Sequence, residues 1–397
     1  MNIAERIARL GTETAFAVSA EAAAFAAKGN HVYPFHLGDM NLPTPSTVVE
    51  GAIKALRDGK TGYCPNAGIP QLREAIAEDV SASHKTPYAL ENVVVQPGGK
   101  PTIGKFLAAV MNPGDEVLYP NPGYPIYESQ IEYLGGTAVP YGYLEVENNF
   151  DLDFDSIERA ITDKTTVLVL NDLQNPNGAE LSPEQRARLA EIVRNHDLYV
   201  LCDEAYFDMR YEGTSTSFVE EPGMAERCVL LYTFSKKFAM TGWRLGASIG
   251  PKAVLDVIAK INVNDESCTA HFVQYGGLAG LQGDQTEVAG ILRELQARRD
   301  AAGAGLNAID GISSIVPNAT FYLFPNVTPV MERKGLTDYE DFRRAALHAT
   351  GVSFTTSMHF GRSDGNEPNK YLRFAYSGID VADIQEGLGR FKEFVES

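Results

Sequence analysis

The feature that most constrains this chain is a recurring unit: a short run apolar on both faces, then a turn, then a helical pattern. The runs include Asn92-Val93-Val94-Val95, Glu116-Val117-Leu118-Tyr119, Thr166-Val167-Leu168-Val169-Leu170, Leu198-Tyr199-Val200-Leu201-Cys202 and Cys228-Val229-Leu230-Leu231-Tyr232. Strands without a polar face need cover on both sides, which parallel sheets obtain from their crossover helices. Ser182 to Asn195 is such a helix, opening on Ser182, Pro183 and Glu184 as a capped start does. The alternation predicts an α/β core with a mostly parallel, doubly wound sheet.

The last third has another texture. Gln285 to Ala308 reads as one long helix, followed by strand candidates at Ala319 to Phe324 and Tyr371 to Tyr376 and a helix near Tyr339 to Thr350. With 397 residues the chain has room for two domains or one very large one. The expected division is a large domain over residues 46–285 and a smaller α+β domain assembled from residues 1–45 and 286–397.

Charge excludes some partners. There are 34 Lys+Arg against 52 Asp+Glu, a formal net charge of -18. A chain that tracks nucleic-acid phosphates or docks on anionic lipid needs a basic face, so neither nucleic acid nor membrane is an expected partner. No apolar run approaches the roughly 20 residues of a membrane span. Met1 to Gly11 reads as an amphipathic helix and lacks the pattern of a signal peptide, so a cytoplasmic location is expected. Cys64, Cys202, Cys228 and Cys268 are widely spaced without metal-ligand spacing, so free thiols and no metal site are expected.

Ligands of open α/β sheets collect at the carboxyl ends of the strands. After Val95 stand Gly98, Gly99 and Lys100 before a helical run from Ile103 to Met111. Glycines there bare the N–H groups of a helix start to an anion, though a tight turn alone explains them as well. Asp203 ends a buried run, where a carboxylate needs a cation or donor; a helix cap is its plainer reading. Lys236 and Lys237 follow Tyr232, and Arg244 lies eight residues on. Two lysines in a surface loop are the plain alternative, whereas a desolvated lysine with a depressed pKa is a nucleophilic amine. Taken together, an anion cradle, a buried carboxylate, a lysine and an arginine are the set that pyridoxal phosphate requires.

The stretch Ser235-Lys236-Lys237-Phe238-Ala239-Met240-Thr241-Gly242-Trp243-Arg244 resembles the class I aminotransferases of the fold type I pyridoxal phosphate superfamily, and among them the bacterial-type aspartate aminotransferases. The resemblance runs nearly end to end, through Tyr63 with Ala67 to Arg73, Asn175-Pro176-Asn177-Gly178, Asp203-Glu204-Ala205-Tyr206 and Tyr371-Leu372-Arg373-Phe374. It implies that Lys236 holds pyridoxal 5′-phosphate covalently and shuttles the substrate proton, the register of Phe238 to Arg244 favouring it over Lys237. Asp203 would pair with the ring nitrogen, Asn175 and Tyr206 with the phenolic oxygen, and Tyr124 would stack on the ring. Gly98, Gly99, Ser235 and Arg244 would hold the phosphate, with Lys100 beside them. Tyr63 would reach the phosphate of the other subunit, which makes a homodimer with shared sites. Arg373 would clamp the substrate carboxylate, assisted by Asn175 and the backbone at Gly38.

The implied reaction is ping-pong transfer of an amino group from an L-amino acid to a 2-oxo acid, with aspartate-type substrates as one expectation. A β-lyase or an amino-acid oxidase would use the same cofactor residues and is the alternative. The aminotransferase-like half of a transcription regulator is a third reading, disfavoured by the intact catalytic set. The chain departs from the family at Asp172-Leu173-Gln174, at Asn177 and at Thr356-Ser357-Met358-His359. Lys100 meeting a distal carboxylate would favour dicarboxylic substrates; Glu13 dominating would favour basic or neutral ones.

Overall fold

The structure is a computed structural model describing residues 2–11, 14–362 and 367–397. Seven strands form the central sheet: β1 (Val93–Gln96), β2 (Glu116–Pro120), β3 (Thr137–Tyr141), β4 (Thr165–Leu170), β5 (Tyr199–Asp203), β6 (Cys228–Thr233) and β7 (Gly246–Ile249). Their order is β1-β7-β6-β5-β4-β2-β3, and β7 alone runs against its neighbours. The other six share one direction, so their carboxyl ends meet at one edge.

Alternation along each strand builds two separate cores. Val93, Val95, Leu168, Leu170, Val200 and Cys202 face one layer of helices. Val94, Val167, Val169, Leu201 and Val229 face the other, against Ile103, Phe106, Leu255 and Ile258. Both faces are apolar because both are covered, as the sequence pattern predicts. On the first face the helices Ser46–Arg57 and His271–Gln282 lie close together. Glycine permits this: a side chain at Gly51 would strike the Ala279 methyl.

A third core joins Tyr33 and Phe35 to Leu295, Phe342, Phe374 and Phe391, which are distant in sequence. Around it lie the helices Thr286–Asn307, Tyr339–Thr350 and Val381–Glu396, and a three-stranded antiparallel sheet of Tyr322–Leu323, Leu372–Ala375 and Thr355–Thr356. Leu173, Tyr206 and Met209 from the loops of the large sheet enter the same core and tie the two layers together.

Several elements differ from their sequence reading. The N-terminal segment is only a short 3-10 turn, Glu5–Arg9, with no buried residue; it lies against the helix Ile126–Tyr133, with Arg6 over the Tyr133 ring at 5.8 Å. Of Ala319 to Phe324 only Tyr322–Leu323 is strand, since Thr320 has a positive φ that breaks extended pairing. The helix after the glycines starts earlier than Ile103, at Lys100, with Pro101 in its first turn. Strands β3 and β7 are additional to the five runs quoted above. Among the described residues no helix is long and apolar enough to cross a membrane, and all four cysteines are free.

Candidate active site

The carboxyl ends of β1, β4, β5 and β6 open into a cavity of about 640 Å³, also lined by loops from the three-stranded sheet. Its walls bring together Gly38, Gly99, Lys100, Tyr124, Asn175, Asp203, Tyr206, Ser235, Lys236, Arg244 and Arg373, spread over more than 300 positions of sequence.

Lys236 sits in the short helix Phe234–Lys237, which β6 feeds directly and the Thr233 hydroxyl caps at Ser235. Its Nζ donates to the Gly38 carbonyl at 3.0 Å. Burial depresses its pKa to about 8, and Asp39 is the chief influence in the other direction. Lys237 points elsewhere, to Asp79 and Asp208, so tertiary structure separates the two adjacent lysines.

Asp203 is 6% exposed and terminates β5. Its Oδ2 accepts from the Tyr127 hydroxyl at 2.6 Å and its Oδ1 from the Ala205 backbone N–H at 3.1 Å. Burial raises its pKa, and these two hydrogen bonds pull against that rise. Asn171 donates to the Asp203 backbone carbonyl and accepts from the Asn175 N–H, which knits the two strand ends together.

At the end of β1 the chain turns through Gly98, whose φ of +102 favours glycine. A side chain there would collide with the Arg244 guanidinium, and one at Gly99 would strike Leu231. Arg244 is itself left-handed, with φ 56 and ψ 61, and its Nη1 donates to the Thr241 carbonyl at 2.8 Å. A bared backbone, the start of the Lys100–Val110 helix and an arginine thus converge, as in anion sites. Lys100 holds its Nζ over the Tyr124 ring, 5.6 Å from the centroid.

Arg373, on the strand Leu372–Ala375, is buried between two rings, with its guanidinium carbon 4.5 Å from the Tyr322 centroid and 4.3 Å from that of Phe360. Nη1 donates to Asn175 Oδ1 and Nη2 to the His36 carbonyl, each at 2.9 Å. The Tyr206 and Tyr322 hydroxyls share a hydrogen bond of 2.6 Å, and burial pushes the Tyr206 phenol well above its ordinary pKa.

Two residues named from the sequence stand apart. Gly98 touches the site through Arg244 but does not line the cavity. Tyr63 is 89% exposed and contributes nothing to the cavity of its own chain. Glu13 lies outside the described residues; the nearby Ala15 and Phe16 reach the cavity from the helix Ala15–Ala26. The departure at Gln174 has a structural role: its Nε2 donates to the Pro122 carbonyl and its Oε1 accepts from the Asn177 N–H, joining the Tyr124 and Asn175 loops.

Sequence reasoning missed Tyr127, Tyr322, Asn171 and Asp39. Tyr127 had a signal, since it stands three residues after Tyr124 where a helix begins and so shares its side. Asn171 had one too, since it follows β4 directly; Tyr322 and Asp39 carried none, because the groups they meet, Tyr206 and Thr241, are distant in the chain.

The family model "Aminotransferase class I and II" matches residues 31–391. The chain belongs to the class I and II aminotransferases. It is 32% identical to an aspartate aminotransferase of Musicola paradisiaca, over 95% of this chain and 92% of that protein. It is 31% identical to a probable aspartate/prephenate aminotransferase of Aquifex aeolicus, over 99% and 98%. Among solved structures, a double mutant of the Thermus thermophilus aspartate aminotransferase superposes with a TM-score of 0.89 at 28% identity, covering 99% of each chain. The fold is that of the fold type I aminotransferases, and this aminotransferase is a transaminating enzyme that uses pyridoxal phosphate. The residues present fit that group: a glycine cradle closed by Arg244, a buried carboxylate near Lys236, and a lysine whose pKa burial depresses to about 8.

Proposed function

We propose that this aminotransferase moves the amino group of a dicarboxylic L-amino acid of the aspartate class to a 2-oxo acid, in a homodimer with shared active sites. The observation that carries the reading is the convergence of Lys236, Asp203 and Arg373 in one cavity with Lys100 at its wall. Relatives named aspartate aminotransferases support the substrate class. A large unit over residues 46–285 and a small one from both chain ends is the matching division, supported by the shared core of Tyr33 and Phe374.

When bound, pyridoxal phosphate supplies an aldehyde that exchanges amines and a ring that withdraws electrons from the substrate α-carbon. Gly98, Gly99, Ser235 and Arg244 would hold its phosphate, Tyr124 would lie against its ring, and Asn175 and Tyr206 would face its phenolic oxygen. Asp203 would face the ring nitrogen, and the Tyr127 hydroxyl that donates to its Oδ2 opposes the rise in pKa that burial causes. Arg373 binds the substrate α-carboxylate, its guanidinium plane fixed by Tyr322 and Phe360, with Asn175 beside it and the Gly38 backbone at the same wall. That orientation presents the α-hydrogen to Lys236, which removes the proton as general base and returns it as general acid. Lys100 attracts the distal carboxylate. The 2-oxo acid leaves before the second one enters, so kinetics are ping-pong. Tyr63, exposed on its own chain, would reach the phosphate in the partner's site.

The test is a screen of amino donors against pyruvate and 2-oxoglutarate. Aspartate or glutamate should give the highest kcat/KM, and Lys100→Met should lower it for these donors more than for alanine. Higher kcat/KM for lysine or alanine in the native enzyme would overturn the dicarboxylic assignment.

A further inference from the structure

Tyr63 stands out from its own chain, so where its ring lies is set by the backbone that carries it. That backbone, residues 62–69, has neither helix nor strand to fix it. Buried side chains do so. Gln274 donates from Nε2 to the Thr269 carbonyl at 2.8 Å and to Cys64 Sγ at 3.1 Å, and its Oε1 accepts from the Ile69 N–H at 2.8 Å. Asn262 donates from Nδ2 to the Asn66 carbonyl at 3.1 Å. The Ser267 and Thr269 carbonyls accept from Asn66 Nδ2 at 2.7 Å and from the Cys64 thiol at 3.6 Å. The loop of residues 265–269 is thus the bed on which the Tyr63 segment lies.

Lys105 is the hub beneath that bed. It is buried in the helix Lys100–Val110, and no step of the reaction uses it. Its Nζ donates to Gln96 Oε1 at 3.1 Å, to Asn262 Oδ1 at 2.8 Å and to the Glu266 carboxylate, both of whose oxygens lie at 2.6 Å. Asp265 adds a second carboxylate at 3.8 Å.

The chemistry of an ammonium gives this hub a direction. It has three N–H groups and no acceptor, so Asn262 must turn its oxygen towards Lys105, which leaves the Asn262 nitrogen for the Asn66 carbonyl. Gln96 obeys the same constraint: its Oε1 faces Lys105 and its Nε2 donates to Asn262 Oδ1 at 3.3 Å. Through its ion pair with Glu266, Lys105 also holds the loop that receives the Tyr63 segment.

We infer that Lys105 is a positioning residue for the cofactor site of the partner subunit, acting through Asn262 and Glu266 to fix the segment that carries Tyr63. The inference rests on the reading that Tyr63 reaches the phosphate in the partner's site. A segment already ordered loses little freedom when it engages a ligand, so the hub strengthens cofactor binding without touching the cofactor.

Equilibrium titration of the dimeric protein with pyridoxal phosphate, followed by cofactor absorbance, tests this in a double-mutant cycle. Lys105→Met should weaken cofactor binding about tenfold, the worth of hydrogen bonds to a charged group, and should have no further effect in Tyr63→Leu. Glu266→Gln keeps an acceptor and removes the charge, so it should act in the same direction with the same dependence on Tyr63. Its side chain is partly exposed, which guards against a folding defect in the first variant. Native affinity in both Lys105→Met and Glu266→Gln would overturn the positioning role. So would losses that add in full to that of Tyr63→Leu, or that accompany dissociation of the dimer in sedimentation. Native affinity in Tyr63→Leu would overturn the shared-site reading, and this inference with it.

Discussion

The Tyr127 hydroxyl donates to Asp203 Oδ2 at 2.6 Å, in the interior of the protein and across 76 positions of sequence. Burial drives the Asp203 carboxyl towards its neutral form, and this hydrogen bond is the largest influence opposing it. Tyr127 is therefore a positioning residue that acts through Asp203. Tyr127→Phe should lower kcat about tenfold to a hundredfold, the worth of a hydrogen bond to a charged group, while KM for the amino donor changes little. Steady-state kinetics with both substrates varied separates the two constants. An unchanged kcat would show that the Ala205 N–H suffices.

Lys236 makes the apoprotein's stability depend on pH in a predictable direction. Its pKa is depressed from 10.5 to about 8 in the folded state. Between those values the unfolded chain binds more protons, so stability rises with pH across the window. Below pH 8 the cost of a buried charge is fully present, at about 1.4 kcal/mol per unit of depression. The Lys236→Met apoprotein should thus be more stable than the native apoprotein at pH 7, with the gap closing towards pH 10.5. Urea unfolding of both at several pH values measures it.

Arg373 is held as a plane rather than as a point charge. Lysine in its place keeps the charge but cannot present two parallel donors or fill the slot between Tyr322 and Phe360. Arg373→Lys should raise KM for the amino donor about tenfold to a hundredfold. Initial rates over a range of donor concentrations test this.

Gly98 is constrained twice, by its φ of +102 and by the Arg244 guanidinium that occupies the space of a side chain. Gly98→Ala should weaken pyridoxal phosphate binding at least about tenfold and destabilise the apoprotein by roughly 1–3 kcal/mol. Cofactor titration by fluorescence and thermal unfolding read the two effects. Retained affinity would argue against a phosphate cradle at this turn.

Tyr63 bears on the dimer. If it serves the partner's site, mixing inactive Lys236→Ala with Tyr63→Leu chains should produce hybrids in which one site carries both lesions and the other none. Activity above the sum of the parent preparations is the expected outcome. Strict additivity after subunit exchange would place Tyr63 outside the partner's site.

Much of the site was legible because its chemistry is written in short segments. Asp203 ends a strand, Gly98-Gly99 and Ser235-Lys236 follow closely on one, and strand ends are where a parallel sheet places its ligands. Roles requiring two distant segments were not legible. Neither Lys236 nor Lys237 is distinguished by composition, yet one meets Gly38 and the other a pair of carboxylates. Asn177 looked like a minor departure from a motif, and only the folded chain shows its buried side chain accepting from the Ala179 N–H.

By itself, then, the sequence determined the layered α/β architecture and the kind of chemistry at the strand ends. Alternation, caps and strand-to-helix turns are local, and backbone geometry translates them directly into elements. Tertiary structure alone decided which groups tune Asp203 and Lys236, how the Arg373 plane is held, and that Tyr63 stands outside its own site. These depend on packing between segments far apart in the chain. Burial turns each such contact into a change in proton affinity or an unmet hydrogen bond, and no local pattern records it.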